Sequence, residues 1–160
     1  MSILSRTVII GIIAFTFCSN IASGNEIPAG WRKIDANGKF SFYLPPDMRV
    51  TGVGIENYHR EYSNGKVNIS FDYDPFEVLA YPVRASVGKN LQETSLEIDG
   101  RKAYLFTYEN TDLRKRPYYT ADLSIGDLPN GHVKLRMSIS CWRQSRLKIA
   151  ETIFRSIKFN

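Results

Sequence analysis

Apolar and polar residues alternate along much of this chain with the period of a β-strand. The alternation is cleanest in two runs. Within Lys66–Tyr73, Val67, Ile69, Phe71 and Tyr73 share one face, and Asn68, Ser70 and Asp72 share the other. Within His132–Cys141, Val133, Leu135, Met137, Ile139 and Cys141 oppose Lys134, Arg136, Ser138 and Ser140. Each run has one face for a core and one for water. Gln92–Asn110 is different. Two strand-like runs flank Asp99-Gly100, a dipeptide suited to the two positive φ values of a type I′ hairpin turn. In the second run Ala103, Leu105 and Thr107 fall on one face and Tyr104, Phe106 and Tyr108 on the other, so both faces are largely apolar. That pattern predicts a strand covered on two sides, the central strand of the sheet.

The same reasoning places the remaining elements. Trp31–Ile34 and Phe40–Leu44 form a hairpin across Asn37-Gly38, and Pro45-Pro46 ends it because proline cannot donate to a ladder. Tyr58–Tyr62 turns through Asn64-Gly65 into the Lys66–Tyr73 strand. Tyr118–Ile125 is a further strand, and Pro129-Asn130-Gly131 turns into His132–Cys141. Arg49–Glu56 stays open between strand and loop, since Gly52 and Gly54 weaken it. Asp74-Pro75-Phe76-Glu77 reads as a helix start, with aspartate as cap, proline first and glutamate third, and Pro82 limits the helix to one or two irregular turns through about Val87. Over Ser145–Ser156 the period changes, and Leu147, Ala150, Phe154 and Ile157 take helical spacing; Ile157–Phe159 adds a short strand. The expectation is an α+β domain, an antiparallel sheet with Ser145–Ser156 packed across it. Leu105, Phe106, Phe71, Leu135, Met137, Ile139, Leu147 and Phe154 should be buried.

The amino terminus follows another logic. Met1–Arg6 carries one positive charge, Val8–Phe17 is a mostly apolar run, and Ala22 and Gly24 supply small residues for a signal peptidase. Residues 1–24 are therefore expected to be a secretory signal peptide, and 25–160 a single domain without repeats or linkers. The apolar run is short of the roughly 20 residues that span a bilayer. A lipid-modified Cys18 would need small residues ahead of it, and Phe15-Thr16-Phe17 precede it instead. Membrane association would follow only from an uncleaved leader or a lipidated Cys18. Export to the periplasm or exterior leaves Cys141 as the one cysteine of the mature chain, with no disulfide to support it. The formal net charge of +5 favours anionic partners without implying nucleic acid.

Candidate chemistry is sparse. His59 and His132 are the only histidines, and no nucleophile or ligand set is grouped with either. Asp72, Asp74 and Glu77 lack the glycine of a calcium loop and place Phe76 where a ligand belongs. Cys141 sits on an apolar strand face, which favours a buried core thiol over a reactive one. No nucleophile elbow, zinc motif or phosphate-binding glycine loop occurs. No catalytic residue, metal or cofactor is therefore expected. The surface feature that stands out is Arg114-Lys115-Arg116-Pro117-Tyr118-Tyr119, three cations and two tyrosines at a loop-to-strand junction. There, charge-assisted contacts and ring stacking could hold an acidic partner.

The tryptophan-led hairpin running into Phe40-Ser41-Phe42-Tyr43-Leu44-Pro45-Pro46-Asp47 is followed by a strand pair around Ile98-Asp99-Gly100-Arg101-Lys102-Ala103. The chain closes on Ala150-Glu151-Thr152-Ile153-Phe154-Arg155-Ser156-Ile157-Lys158-Phe159. Together these resemble the PsbP-like superfamily, which includes DcrB-type bacterial envelope proteins, over about residues 31–160. The resemblance implies a central antiparallel sheet sandwiched by helices on both faces, an α/β/α arrangement. It also implies a non-catalytic accessory or binding role with no shared active site. The resulting reading is an exported accessory protein that engages another envelope or secreted protein through Arg114, Lys115, Arg116, Tyr118 and Tyr119. The alternative is a small envelope hydrolase or redox enzyme using His59, His132 or Cys141.

Overall fold

The computed structural model describes residues 26–54, 59–74, 88–111, 117–127 and 132–160. The expected leader, the helix start after Asp74, the Pro129-Asn130-Gly131 turn and Arg114–Arg116 lie outside these residues. Two antiparallel sheets account for the described strands. A three-stranded sheet has the order β1-β2-β10, from β1 (Arg32–Ala36), β2 (Phe40–Leu44) and β10 (Lys158–Phe159). A seven-stranded sheet comprises β3 (Arg49–Val53), β4 (His59–Ser63), β5 (Val67–Tyr73), β6 (Lys89–Ile98), β7 (Arg101–Thr111), β8 (Pro117–Asp127) and β9 (His132–Cys141). Its order is β3-β4-β5-β9-β8-β7-β6. A 3-10 turn at Gln144–Leu147 runs into helix α1 (Lys148–Arg155).

Local chemistry sets the hairpins. Asp99 and Gly100 take φ of 50° and 72°, and Ile98 pairs with Arg101, so this is the two-residue turn expected. The turn has a second task. Asp99 Oδ2 accepts from the Phe159 backbone N–H at 2.8 Å and Oδ1 from Lys158 Nζ at 3.0 Å, joining the large sheet's turn to β10 of the small one. Those hydrogen bonds, led by the backbone N–H, hold the Asp99 carboxyl below its ordinary range. Arg49–Glu56, left open by its glycines, supplies edge strand β3, whose register slips between Val50 and Gly52.

The core lies between the sheets. Phe40, Phe42 and Leu44 of β2 meet Phe71, Ile69, Leu135, Met137 and Ile139, all at most 1% exposed. The rings interlock: Phe71 stands edge-on to Phe40 at 5.1 Å and to Phe42 at 5.7 Å. Helix α1 adds Ala150, Ile153 and Phe154 to the same core. Its end is fixed by Ser156, whose Oγ accepts from the Tyr43 N–H at 2.9 Å and donates to the Ile153 carbonyl at 2.6 Å. All eight residues expected to be buried are buried.

Two expectations are corrected. The strand with two apolar faces, β7, is second from the edge, and the central position belongs to β9. Its second apolar face reports a separate small cluster of Tyr104, Phe106 and Tyr108, each under 10% exposed. The helix-sandwiched arrangement is also not found among the described residues: the core face is covered by a second sheet and one eight-residue helix. The aromatic hairpin of β1 and β2 fills the layer where a helix was expected, because alternating Phe40, Phe42 and Leu44 present a flat apolar face of their own. Asp74 has φ of 51°, and its carboxylate accepts from Lys134 Nζ at 3.0 Å; the helix it was expected to cap lies outside the described residues.

Candidate functional site

The face of the large sheet away from the core is where the polar residues of the alternating strands gather. Register fixes their rows. His59 of β4 faces Asp72 of β5, which faces Arg136 of β9. One step along, Glu61, Ser70, Ser138 and Asp122 line up across β4, β5, β9 and β8. The next row holds Asn68, Ser140 and Thr120.

Charge is engaged rather than free at the His59 end. Its Nδ1 lies 2.7 Å from Asp72 Oδ1 and its Nε2 3.3 Å from Glu61 Oε1. Partial burial pulls this imidazole down, but the hydrogen bonds and charges of Asp72 and Glu61 together outweigh it and hold His59 above the ordinary histidine value. Protonated His59 therefore stabilises the fold. That contribution is fully present below about pH 6.5 and is lost as pH rises through the higher folded value. Denaturant midpoints measured between about pH 5.5 and 8.5 should fall with rising pH, and less so in His59→Gln. An identical pH dependence in the two proteins would contradict this role.

The middle of the face is buried and polar. Asn110, Thr120 and Asp122 are at most 6% exposed. Tyr108 Oη donates to Asp122 Oδ2 at 2.7 Å, with Arg136 Nη2 3.7 Å away. Among the described residues, Asn110 Oδ1, Thr120 Oγ1 and Asp122 Oδ1 have no hydrogen-bond partner. A run read only as strand thus carries a buried carboxylate that periodicity does not announce.

At the far end, Tyr118 and Trp142 meet edge to face with ring centroids 6.0 Å apart. Trp142, just beyond β9, is 46% exposed, although indole normally seeks burial. The two tyrosines read as one patch are divided by the strand. Tyr118 joins Trp142, whereas Tyr119 pairs with Cys141 in register and packs against the core. Arg114, Lys115 and Arg116 lie outside the described residues. Sequence reasoning did not single out Trp142, because its importance depends on the β8–β9 register.

The residues considered for catalysis do not converge. His59 is on the polar face and Cys141 on the core face. Cys141 is 3% exposed and its Sγ donates to the Arg143 carbonyl at 3.2 Å; burial pushes the thiol up. His132 and Cys141 occupy opposite ends of β9, about 30 Å apart along the strand. Both ring nitrogens of His59 are already on carboxylates. Among the described residues, no three His, Cys, Asp or Glu side chains cluster as a metal site needs.

The architecture has known counterparts among solved structures. The Ran-binding protein Mog1p of Saccharomyces cerevisiae superposes with a TM-score of 0.53 at 9% identity, covering 81% of this chain and 95% of Mog1p. The chain shares the fold of Mog1p. Cyanobacterial PsbP (CyanoP) from Synechocystis sp. PCC 6803 gives a TM-score of 0.46 at 10% identity, covering 88% of this chain and 99% of that one. No family model matches the sequence, and no curated protein matches it.

Proposed function

We propose that this is a non-catalytic binding protein, exported to the periplasm or cell exterior, that engages another envelope or secreted protein. The observation that carries the reading is the exposed Trp142 held against Tyr118 at one end of the polar sheet face. An exposed tryptophan held against a tyrosine of strand β8 is the composition of an interface hot spot. Arg114, Lys115 and Arg116 precede Tyr118 closely in sequence and would add positive charge, favouring an acidic partner. The Ran-binding Mog1p supports a protein partner through shared fold, although fold alone does not fix function.

The test is capture of a partner from envelope extract by the wild-type protein, identified by mass spectrometry. It is repeated with Trp142→Ala and with Arg114, Lys115 and Arg116 all replaced by glutamate. Both variants should lose the partner. Retention by the charge-reversed protein alone would remove the cations and leave the aromatic pair. No partner, together with turnover abolished in His59→Ala or His132→Ala, would favour the enzyme alternative. Export rests on the leader: the protein recovered from the periplasm or medium should begin near Asn25. A protein found only in the cytoplasm, or one starting at a lipid-modified Cys18, would contradict soluble export.

A further inference from the structure

Across β3, β4, β5 and β9 the polar face hollows into a groove of about 150 Å³. It is lined by Thr51, Glu61, Asn68, Ser70, Ser138 and Ser140, together with Tyr62 and Ile69, which belong to the core cluster. Ser70 and Ser138 are direct register partners, as are Asn68 and Ser140. A sheet face turned to water is normally covered by long side chains paired across the strands. Here four hydroxyls and an amide leave the backbone floor open. Gly52 maintains one rim: a Cβ there would come 2.8 Å from Glu61 Oε2. On β8, the register partners of Ser138 and Ser140 are Asp122 and Thr120, each more than nine-tenths buried and each with a buried oxygen that has no hydrogen-bond partner among the described residues.

We propose that the groove binds an uncharged polyhydroxylated ligand of about one monosaccharide ring. Hydroxyl and amide side chains both donate and accept, which matches a ring of O–H groups and little else. An apolar ligand would leave the groove's hydroxyls unpaired. No lysine or arginine lines it, so a phosphate or carboxylate would meet Glu61 without compensation. A cation would find one carboxylate, already shared with His59. Two strand spacings by one two-residue step give a footprint of roughly 10 by 7 Å, that of a pyranose with its hydroxyls. The site is separate from the Tyr118–Trp142 pair and does not depend on a protein partner.

The test is titration of ¹⁵N-labelled protein with D-glucose and N-acetyl-D-glucosamine, with choline and glucose 6-phosphate as charged comparators. Saturable amide shifts at Ser70, Ser138 and Ser140 are expected with at least one uncharged sugar, with a Kd on the order of 1 mM. Ser138→Val, which fills the groove and suits a strand, should weaken binding by about ten-fold or more. Ser138→Ala should weaken it less, and Trp142→Ala should leave it unchanged. Thermal melts of the variants separate loss of the site from loss of the fold. No saturable shift with either sugar would overturn the proposal. So would tighter binding of choline or glucose 6-phosphate, or shifts confined to Tyr118 and Trp142.

Discussion

Replacing Phe71 with alanine is expected to destabilise the protein by about 3–5 kcal/mol, the cost of truncating a fully buried phenylalanine. Phe71 is 0% exposed and stands where the two sheets meet. Its ring is edge-on to both Phe40 and Phe42 of the small sheet. Alanine removes the buried area and both ring contacts, each of which adds about 0.5–1.5 kcal/mol beyond area. Neither sheet can close the gap, because each is held by its own ladder. Domains of this kind are stable by about 5–15 kcal/mol, so a large share of the total is at stake. Denaturant titration gives the value directly. Phe71→Leu should lose much less, and an alanine variant within about 1 kcal/mol of wild type would mean that the sheets are not packed through this ring.

Phe154→Ala should cost a similar amount, about 3–5 kcal/mol. Phe154 is 1% exposed on α1 and borders a hollow of about 40 Å³ that Leu105, Thr107, Ala121 and Leu147 also line. The hollow exists because Thr107 and Ala121 are too short to fill the space under the helix. Truncation enlarges it, and the rigid strands below cannot follow, which places the loss toward the upper end of the range. The higher helix propensity of alanine returns only about half a kcal/mol. A thermal midpoint within a degree or two of wild type would mean that another face of α1 is buried.

These two residues also mark what the sequence made legible. Phe71 was readable because Lys66–Tyr73 has one dry face and one wet one, and Phe154 because Leu147, Ala150 and Ile157 share its helical stripe. The Asp99-Gly100 turn was readable because few dipeptides accept its backbone. Strand order was not. Two apolar faces on β7 report only that something lies on each side, and a strand next to the edge can satisfy that. The second layer was hidden for a related reason: Phe40, Phe42 and Leu44 alternate in the same way whichever sheet they join. Gly52 reads as a strand breaker until Glu61 is seen occupying the space of its missing Cβ.

The candidate sites were less legible than the fold. Ser70, Ser138 and Ser140 read correctly as a wet face, but their grouping into a groove comes from pairing between residues distant in sequence. Asp122 looks like any outward carboxylate, and its burial is a tertiary fact. Tyr118 and Tyr119 look like one patch, yet neighbours on a strand point to opposite sides. Trp142 lies past the end of its strand and follows no period.

The Tyr118–Trp142 end of the sheet face is proposed as a protein-docking surface, and the affinity of the captured partner for Trp142→Ala tests this most directly. Calorimetric titration against wild type should show a loss of at least about 2 kcal/mol, roughly thirty-fold in Kd, as for a hot-spot tryptophan, with the melting temperature unchanged. Equal affinities for the two proteins would contradict the claim and move the interface elsewhere.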